Sequence, residues 1–180
     1  GAGSPDIQPD PTLGPIGATE FATVTSVVDG DTIRVEISGT EYPLRYIGMD
    51  APEPDATDPQ IKKLADAATA ANASLIEGRD VYLEREVSDT DRFGRLLRDV
   101  WLVDGDGNQV LINLELVRLG YAQISTFPPD VRYLDQLTEA QTMAQEDRVG
   151  LWGLSAPPPP APDATAAPQA TPQTLVGGGA

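Results

Sequence analysis

The chain of 180 residues contains no cysteine and no histidine. Without cysteine it forms no disulfide bonds, and without either residue it builds no thiolate or imidazole metal site. The same absences exclude Ser-His and Cys-His nucleophilic catalysis. Any catalysis therefore depends on carboxylates, arginines, hydroxyl groups and a metal held by oxygen ligands.

Positive charge and long apolar runs are also scarce. Only 12 Lys and Arg residues oppose 28 Asp and Glu residues, giving a formal net charge of −16. Such a field repels nucleic acids, so a polyanion would have to bind through a local basic patch or a bound cation. No apolar run has the length of a transmembrane helix, and we expect no membrane span.

The composition predicts one folded domain between two tails. Residues 1–17 are rich in Gly, Pro and small side chains and predict a flexible arm, whereas residues 155–180, rich in Pro, Ala and Thr, predict a disordered tail or linker. The folded unit is then 18–154. The chain starts without methionine, so it is either processed or trimmed, and a removed signal peptide would make the protein secreted or part of the cell envelope.

Hydrophobic periodicity predicts an α+β domain that is mainly β. Strands are expected over residues 21–28, 32–37, 41–47, 81–87 and 96–103. Helices are expected over residues 60–77, 110–119 and 131–148, each ended by a glycine. This order favours a small antiparallel barrel packed against helices.

Three segments carry residues that could perform chemistry. Asp29-Gly30-Asp31 is either an ordinary hairpin turn or a turn that brings two carboxylates to a hard cation. Arg45 faces away from the core side of its strand, and residues 50–53 (DAPE) follow it as a loop that could form the wall of an anion site. Residues 91–95 (DRFGR) form a loop in the only basic concentration of the chain, where we expect a phosphate to bind. The arginines of this concentration are Arg85, Arg92, Arg95 and Arg98.

Residues 104–108 (DGDGN), with Glu115 at the twelfth position, have the oxygen spacing of an EF-hand calcium loop. However, Gln109 stands where the loop needs glycine, and the preceding segment has the pattern of a strand. The sequence therefore favours a simple turn here.

Together these segments resemble the staphylococcal-nuclease-like (thermonuclease) family, from about Thr23 to Trp152. Each motif alone is weak, but their order and spacing are specific. The matching segments are residues 28–32 (VDGDT), 44–53 (LRYIGMDAPE), 91–95 (DRFGR), 116–122 (LVRLGYA) and 150–152 (GLW). The resemblance implies a five-stranded OB-fold barrel with three helices. It also implies a calcium-dependent endonuclease that cleaves DNA or RNA, leaves 3′-phosphates and, we expect, acts as a monomer.

The resemblance also implies roles for individual residues. Asp31, Asp50 and the main-chain carbonyl of Ala51 would bind Ca²⁺, with Asp29 just outside the metal's ligands. Glu53 would act as general base on the attacking water or orient it. Arg45 and Arg95 would hold the phosphate, and their planar, permanently charged guanidinium groups suit that task.

Two departures from the family leave alternatives open. Phe93 replaces a tyrosine common in the third motif, and residues 123–129 lack tyrosines that some members place near the nucleotide. A nuclease-fold binding module without activity is the main alternative, although such members usually lose an acidic or arginine position that this chain keeps. A calcium- or protein-binding surface domain is a weaker alternative.

Overall fold

The structure, a computed structural model, describes residues 5–154. The disorder predicted for residues 155–180 lies outside this range. Residues 5–154 contain three α-helices: α1 Pro59–Ile76, α2 Ile112–Arg118 and α3 Leu134–Asp147, followed by a short 3-10 helix, Gly150–Gly153. The strands are β1 Thr19–Val27, β2 Thr32–Ile37, β3 Thr40–Tyr46, β4 Met49–Asp50, β5 Asp80–Glu84, β6 Leu96–Val103, β7 Gln109–Leu111 and β8 Gln123–Ile124.

Five strands close into a barrel. β1 pairs antiparallel with β2 and with β5, β2 pairs with β3, and β5 pairs with β6. The barrel closes where β3 and β6 pair in parallel, with Leu44 beside Leu96 and Tyr46 beside Arg98. The predicted five-stranded barrel with three helices is therefore confirmed, but the barrel is mixed and not purely antiparallel.

The short elements differ most from the sequence-based expectation. β7 occupies the start of the helix predicted over 110–119, and α2 begins only at Ile112. α3 begins at Leu134 and not at Val131. Strands of two or three residues, such as β4 and β8, are too short to show alternation, and the apolar run around Leu111 fits a strand and a helix equally well.

Residues 104–108 form the turn between β6 and β7. The Asp104 carboxylate accepts hydrogen bonds from the amides of Asp106 (2.9 Å) and Asn108 (2.8 Å). Glu115 lies on α2, where it pairs with Arg118 at 2.9 Å. The prediction of a turn instead of a helix-flanked calcium loop is confirmed.

Helix α1 lies close to the turn that precedes β2. Asp58 caps the helix by accepting hydrogen bonds from the amides of Gln60 and Ile61. The small side chain of Ala68 lets the helix approach Gly30, where a Cβ atom would meet the Cβ atoms of Ala51 and Ala68 at 2.6 and 2.8 Å. Glycine is therefore required by close packing at this point, and the packing fixes the position of Asp29 and Asp31.

Residues 5–17 lie against the domain, although the sequence predicts a flexible arm. Ile7 and Leu13 pack on the core, and the amides of Ile16 and Gly17 donate to the buried carboxylate of Glu84 at 3.0 and 2.8 Å. These contacts involve main-chain groups and isolated apolar residues, which leave no periodicity in the sequence. Within residues 5–154, none of the helices combines the length and hydropathy needed to cross a bilayer.

Candidate active site

The turn before β2 holds its two carboxylates through local hydrogen bonds. Asp29 accepts from the amide of Asp31 at 3.0 Å. Asp31 is only 4% exposed, and it accepts from the hydroxyl of Thr32 at 3.0 Å and from the amide of Ala51 at 2.9 Å. The last contact joins the turn to the loop after β4, so the structure brings the first two acidic segments together.

Arg45, near the end of β3, joins Asp31 and Asp50. Its Nη2 atom lies 3.1 Å from a carboxylate oxygen of Asp50 and 3.5 Å from one of Asp31. Its Nη1 atom donates to the carbonyl oxygens of Met49 (2.8 Å) and Tyr46 (3.1 Å). The guanidinium is thus fixed by three hydrogen-bond acceptors and by an ion pair with Asp31, and the two carboxylates converge on one nitrogen atom.

Asp29, Asp50 and Glu53 bind protons more readily than free carboxylates do. Burial raises the pKa of Asp29 to about 7, and the charge of Asp31 adds to this effect. Burial raises the pKa of Asp50 to about 6, although the charge of Arg45 opposes the shift. The pKa of Glu53 is also raised, first by its partial burial and then by the charge of Asp31, while Arg45 and Arg95 act in the opposite direction. Burial is thus the main cause of all three shifts, and the mutual repulsion of the carboxylates adds to it.

The loop 91–95 supplies the second arginine. Asp91 is buried and accepts hydrogen bonds from the amides of Phe93 (2.9 Å) and Arg95 (3.0 Å) and from Nε of Arg95 (2.7 Å). Phe93 is 70% exposed, and the guanidinium carbons of Arg92 and Arg95 lie 5.0 and 5.5 Å from the centre of its ring. The loop thus presents an open aromatic ring beside two cations.

Arg45, Glu53 and Arg95 line one cavity of about 410 Å³. The three predicted catalytic side chains therefore share one surface. Asp31 and Asp50 do not line the cavity, but both contact Arg45, which does. The remaining lining residues come from three segments: Tyr46, Ile47, Gly48 and Met49; Asp91, Arg92, Phe93 and Leu97; and Ser125, Phe127 and Asp130.

The basic concentration expected near this loop is divided by the fold. Arg92 and Arg95 line the cavity, but Arg85 and Arg98 do not. Arg98 is buried and pairs with Asp89 at 2.8 Å, and Arg85 lies 3.9 Å from the same carboxylate. Only half of the predicted arginine set therefore faces the cavity.

The donor set fits the calcium ion that the resemblance implies. Asp31 and Asp50 come from separate segments and both approach Nη2 of Arg45, and all available donors are oxygen atoms, which suit Ca²⁺. Among residues 5–154, no three acidic side chains are close enough to form a metal site by themselves. Main-chain and solvent oxygens would therefore have to complete the roughly six to eight ligands that calcium takes.

Sequence reasoning missed residues that support the site from behind. Asn72 on α1 is fully buried, donates to the carbonyl of Asp29 at 2.9 Å and accepts from the hydroxyl of Tyr46 at 2.7 Å. Its position on the helix face shared by Ala65 and Ala68 is the signal that could have identified it, because a polar residue in a buried stripe needs partners. Ser125 and Asp130 also line the cavity, but no sequence pattern marked them as buried polar residues.

Comparison with known proteins identifies relatives of this chain. A family model described as staphylococcal nuclease homologue matches residues 43–153. A thermonuclease of Staphylococcus intermedius is 30% identical over 133 residues, which cover 74% of this chain and 76% of that protein. A thermonuclease of Staphylococcus hyicus is 30% identical over 129 residues, covering 72% of this chain and 73% of that protein. Endonuclease YncB of Bacillus subtilis (strain 168) is 28% identical over 134 residues, covering 74% of this chain and 62% of that protein.

The region matched by the family model contains Arg45, Asp50, Glu53 and the loop 91–95, whereas Asp31 precedes it. The matched region spans more than half of the chain, and the barrel has the architecture that the sequence motifs imply. On these grounds, the chain belongs to the staphylococcal nuclease homologue family.

Proposed function

We propose that this protein is a calcium-dependent nuclease that hydrolyses phosphodiester bonds of DNA or RNA and leaves 3′-phosphate ends. The observation that carries the proposal is the shared cavity of Arg45, Glu53 and Arg95, with Asp31 and Asp50 held on Arg45. Relatives named thermonuclease and endonuclease support the same reaction class.

The arginines would act on the charge of the phosphate. Attack of water on phosphorus adds negative charge to the phosphate oxygens, and guanidinium groups fixed beforehand stabilise that charge without reorganising. Arg95 is fixed in this way by Asp91, whereas Arg45, whose terminal nitrogens already contact protein acceptors, would contribute mainly its charge. Both groups remain charged at any working pH.

Glu53 would receive the proton of the attacking water. A new P–O bond would form from the water oxygen while the bond from phosphorus to the 5′ oxygen breaks. The 5′ oxygen would leave as a hydroxyl after taking a proton from solvent, and the 3′ oxygen would keep the phosphate. The raised pKa of Glu53 makes this carboxylate a stronger base than a free glutamate. Its exposed side chain at the cavity leaves it accessible to solvent.

Asp31, Asp50 and the main-chain carbonyl of Ala51 would hold Ca²⁺. When bound, the ion would polarise a phosphate oxygen and neutralise part of its charge. Its charge would also favour the ionised forms of the surrounding carboxylates, which in its absence bind protons readily.

Incubation with denatured DNA tests the proposal directly. We expect cleavage with calcium and none after a chelator is added. The 3′ ends of the products should become extendable by a polymerase only after the 3′-phosphate is removed. Duplex DNA and RNA in parallel reactions define the preferred substrate. Calcium-dependent binding of the DNA without cleavage would instead indicate an inactive binding module.

Location and oligomeric state belong to the same proposal. We expect a monomer, which size-exclusion chromatography with light scattering measures. We also expect the protein in the culture medium or cell envelope, which fractionation of source cells checks against a cytosolic marker.

A further inference from the structure

We propose that Asp91 is a positioning residue, which orients Arg95 so that both terminal nitrogens of its guanidinium face a substrate phosphate. The proposal rests on the nuclease function proposed above. It assigns a role to the one acidic residue of the loop 91–95, which the proposed chemistry does not itself use.

One oxygen of Asp91 shapes the loop. Oδ1 accepts from the amides of Phe93 (2.9 Å) and Arg95 (3.0 Å), while Gly94 turns the chain with a φ of 83°. Asp91 is 7% exposed, so its carboxylate is largely shielded from water. These contacts alone would make Asp91 a structural residue of a turn.

The other oxygen of Asp91 holds the side chain of Arg95. Oδ2 accepts from Nε at 2.7 Å, a charge-assisted hydrogen bond with a buried acceptor. Within residues 5–154, neither Nη atom of Arg95 donates to a protein acceptor. The guanidinium is thus anchored at Nε and keeps two parallel donors, the pair that binds two phosphate oxygens.

Arg45 differs from Arg95 in this respect. Both Nη atoms of Arg45 already contact protein acceptors, including the carboxylates of Asp31 and Asp50. Of the two arginines, Arg95 is therefore the one whose terminal donors are available without breaking a contact, and Asp91 controls where they lie.

Asp91→Asn separates the two roles of Asp91. An asparagine keeps the oxygen that accepts from the two main-chain amides, so the loop can retain its shape. Its amide group, however, cannot accept from Nε of Arg95, and the side chain loses its anchor. Asp89→Asn is the matched control. It removes the same charge two positions before Asp91, and Asp89 pairs with Arg98 outside the cavity.

The first measurement is kcat for calcium-activated cleavage of denatured DNA. We expect Asp91→Asn to lower kcat about 10²-fold, the scale of a misplaced positioning group, and Asp89→Asn to leave it within about twofold. In an Arg95→Ala background, Asp91→Asn should cost less than about threefold more, because it acts only through Arg95. Equal losses in both backgrounds, or no loss in the single variant, would overturn the proposal.

The second measurement uses the wild-type protein and requires no turnover. The ¹⁵N–¹H signal of Arg95 Nε, assigned by its loss in Arg95→Lys, should exchange slowly with water at neutral pH. Inorganic phosphate should shift this signal. Exchange as fast as in free arginine, or no response to phosphate, refutes the positioning role, even if Asp91→Asn does not fold. An inactive wild type with a protected, phosphate-sensitive signal would instead contradict only the nuclease function.

Discussion

Glu53 is the acidic side chain of the cavity that can change its protonation state during a reaction without breaking a structural contact. Glu53→Gln keeps the size of the side chain and removes its basicity, so we expect kcat to fall by about 10² to 10⁴, the usual contribution of a general base. Because Glu53 is exposed, the free energy of unfolding should change by less than about 0.5 kcal/mol. Calcium-activated cleavage of denatured DNA and urea unfolding measure the two quantities.

Asp55→Asn is the control for this substitution. Asp55 lies on the same exposed loop, and its charge contributes to the raised pKa of Glu53. The control removes an equal charge without removing the proposed base. If both variants lost the same activity, the charge of the loop and not the basicity of Glu53 would be responsible.

Asp29 makes stability depend on pH. Its pKa is raised to about 7 in the folded protein from an ordinary value of 3.8, so the folded state binds the proton more tightly than the unfolded chain. The stabilising contribution of this proton is complete below pH 3.8 and is lost as the pH rises through about 7. Without calcium, Asp29→Asn should therefore be more stable than wild type above pH 7 and lose that advantage toward pH 4.

Urea unfolding with chelator between pH 4 and pH 8 measures this difference. Asparagine keeps the oxygen that accepts from the amide of Asp31, so the turn itself should survive. Asp104→Asn serves as control, because hydrogen bonds from Asn108 lower the pKa of Asp104 and its contribution has the opposite sign. A pH-independent difference between wild type and Asp29→Asn would contradict the raised pKa.

At the scale of elements, the end of α2 and the turn after α3 meet through two glycines. Gly120 has a φ of 83°, and a Cβ atom there would overlap the carbonyl of Val149 and lie 2.7 Å from its carbonyl carbon. Leu151 donates its amide to the carbonyl of Gly120 at 2.9 Å. The glycines at 120 and 150 in the motifs LVRLGYA and GLW are thus explained by contact between main chains.

Gly120→Ala should destabilise the protein by more than about 1 kcal/mol, because it meets both an unfavourable φ and a blocked space. Gly78→Ala is a matched control. Gly78 has a φ of 77°, but a Cβ atom there would have no neighbouring heavy atom of the described residues within 4 Å. Thermal and urea unfolding of both variants separate the two costs. Equal destabilisation would show that the contact with Val149 contributes nothing.

The elements also show how much the sequence could predict. Alternation identified the barrel strands, and the Ala-rich stretch ended by Gly78 identified α1. The parallel pairing of β3 with β6 could not be predicted, because alternation records which face is buried and not which strand lies beside it. β7 was missed because a strand of three residues, Gln109–Leu111, is too short to show alternation.

The sequence likewise predicted only part of the candidate site. The motifs supplied Asp31, Arg45, Asp50, Glu53 and Arg95. In the structure Arg45, Glu53 and Arg95 line one cavity, and Asp31 and Asp50 contact Arg45. Their catalytic and metal-binding roles stay predictions. The contact of Asp91 with Nε of Arg95 and that of Asn72 with Asp29 could not be read from spacing, because each depends on the orientation of a single side chain.

Residues 5–17 connect the start of the chain to the barrel, because they supply two of the hydrogen bonds that satisfy the buried carboxylate of Glu84. Burial raises the pKa of Glu84, but hydrogen bonds from Gly17, Tyr133, Trp101 and Arg132 outweigh it and bring the pKa below its usual value. Deletion of residues 1–17 removes the amides of Ile16 and Gly17 from this carboxylate. We expect a loss of about 1.5 to 3 kcal/mol in the free energy of unfolding, as for a hydrogen bond to a charged group.

Deletion of residues 155–180 provides the comparison for this truncation. Their Pro- and Ala-rich composition predicts no change in melting temperature or activity. Urea unfolding of the two truncated proteins measures both effects. Unchanged stability without residues 1–17 would support the flexible arm expected from composition, and a lower melting temperature without residues 155–180 would show that this segment packs on the domain.

We expect sodium and calcium to affect the melting temperature differently. Sodium acts on the net charge of −16, whereas calcium binds at the carboxylates around Arg45. Sodium screens the general repulsion of an acidic protein and should raise the melting temperature modestly. Calcium bound only by the folded state adds about 2.7 kcal/mol at a hundredfold excess over its Kd. Calcium should therefore raise the melting temperature well beyond an ionic-strength-matched sodium salt.

The combination of Asp31→Ala and Asp50→Ala tests where this calcium effect arises. The excess over sodium should vanish in the double variant, together with nuclease activity, while the sodium effect remains, because screening does not depend on a particular site. Substitution of Asp104 and Asp106 by alanine should leave the excess intact, since Asp104 accepts hydrogen bonds within its own turn. If the extra stabilisation by calcium persisted in the first variant and disappeared in the second, the metal site would lie in the β6–β7 turn.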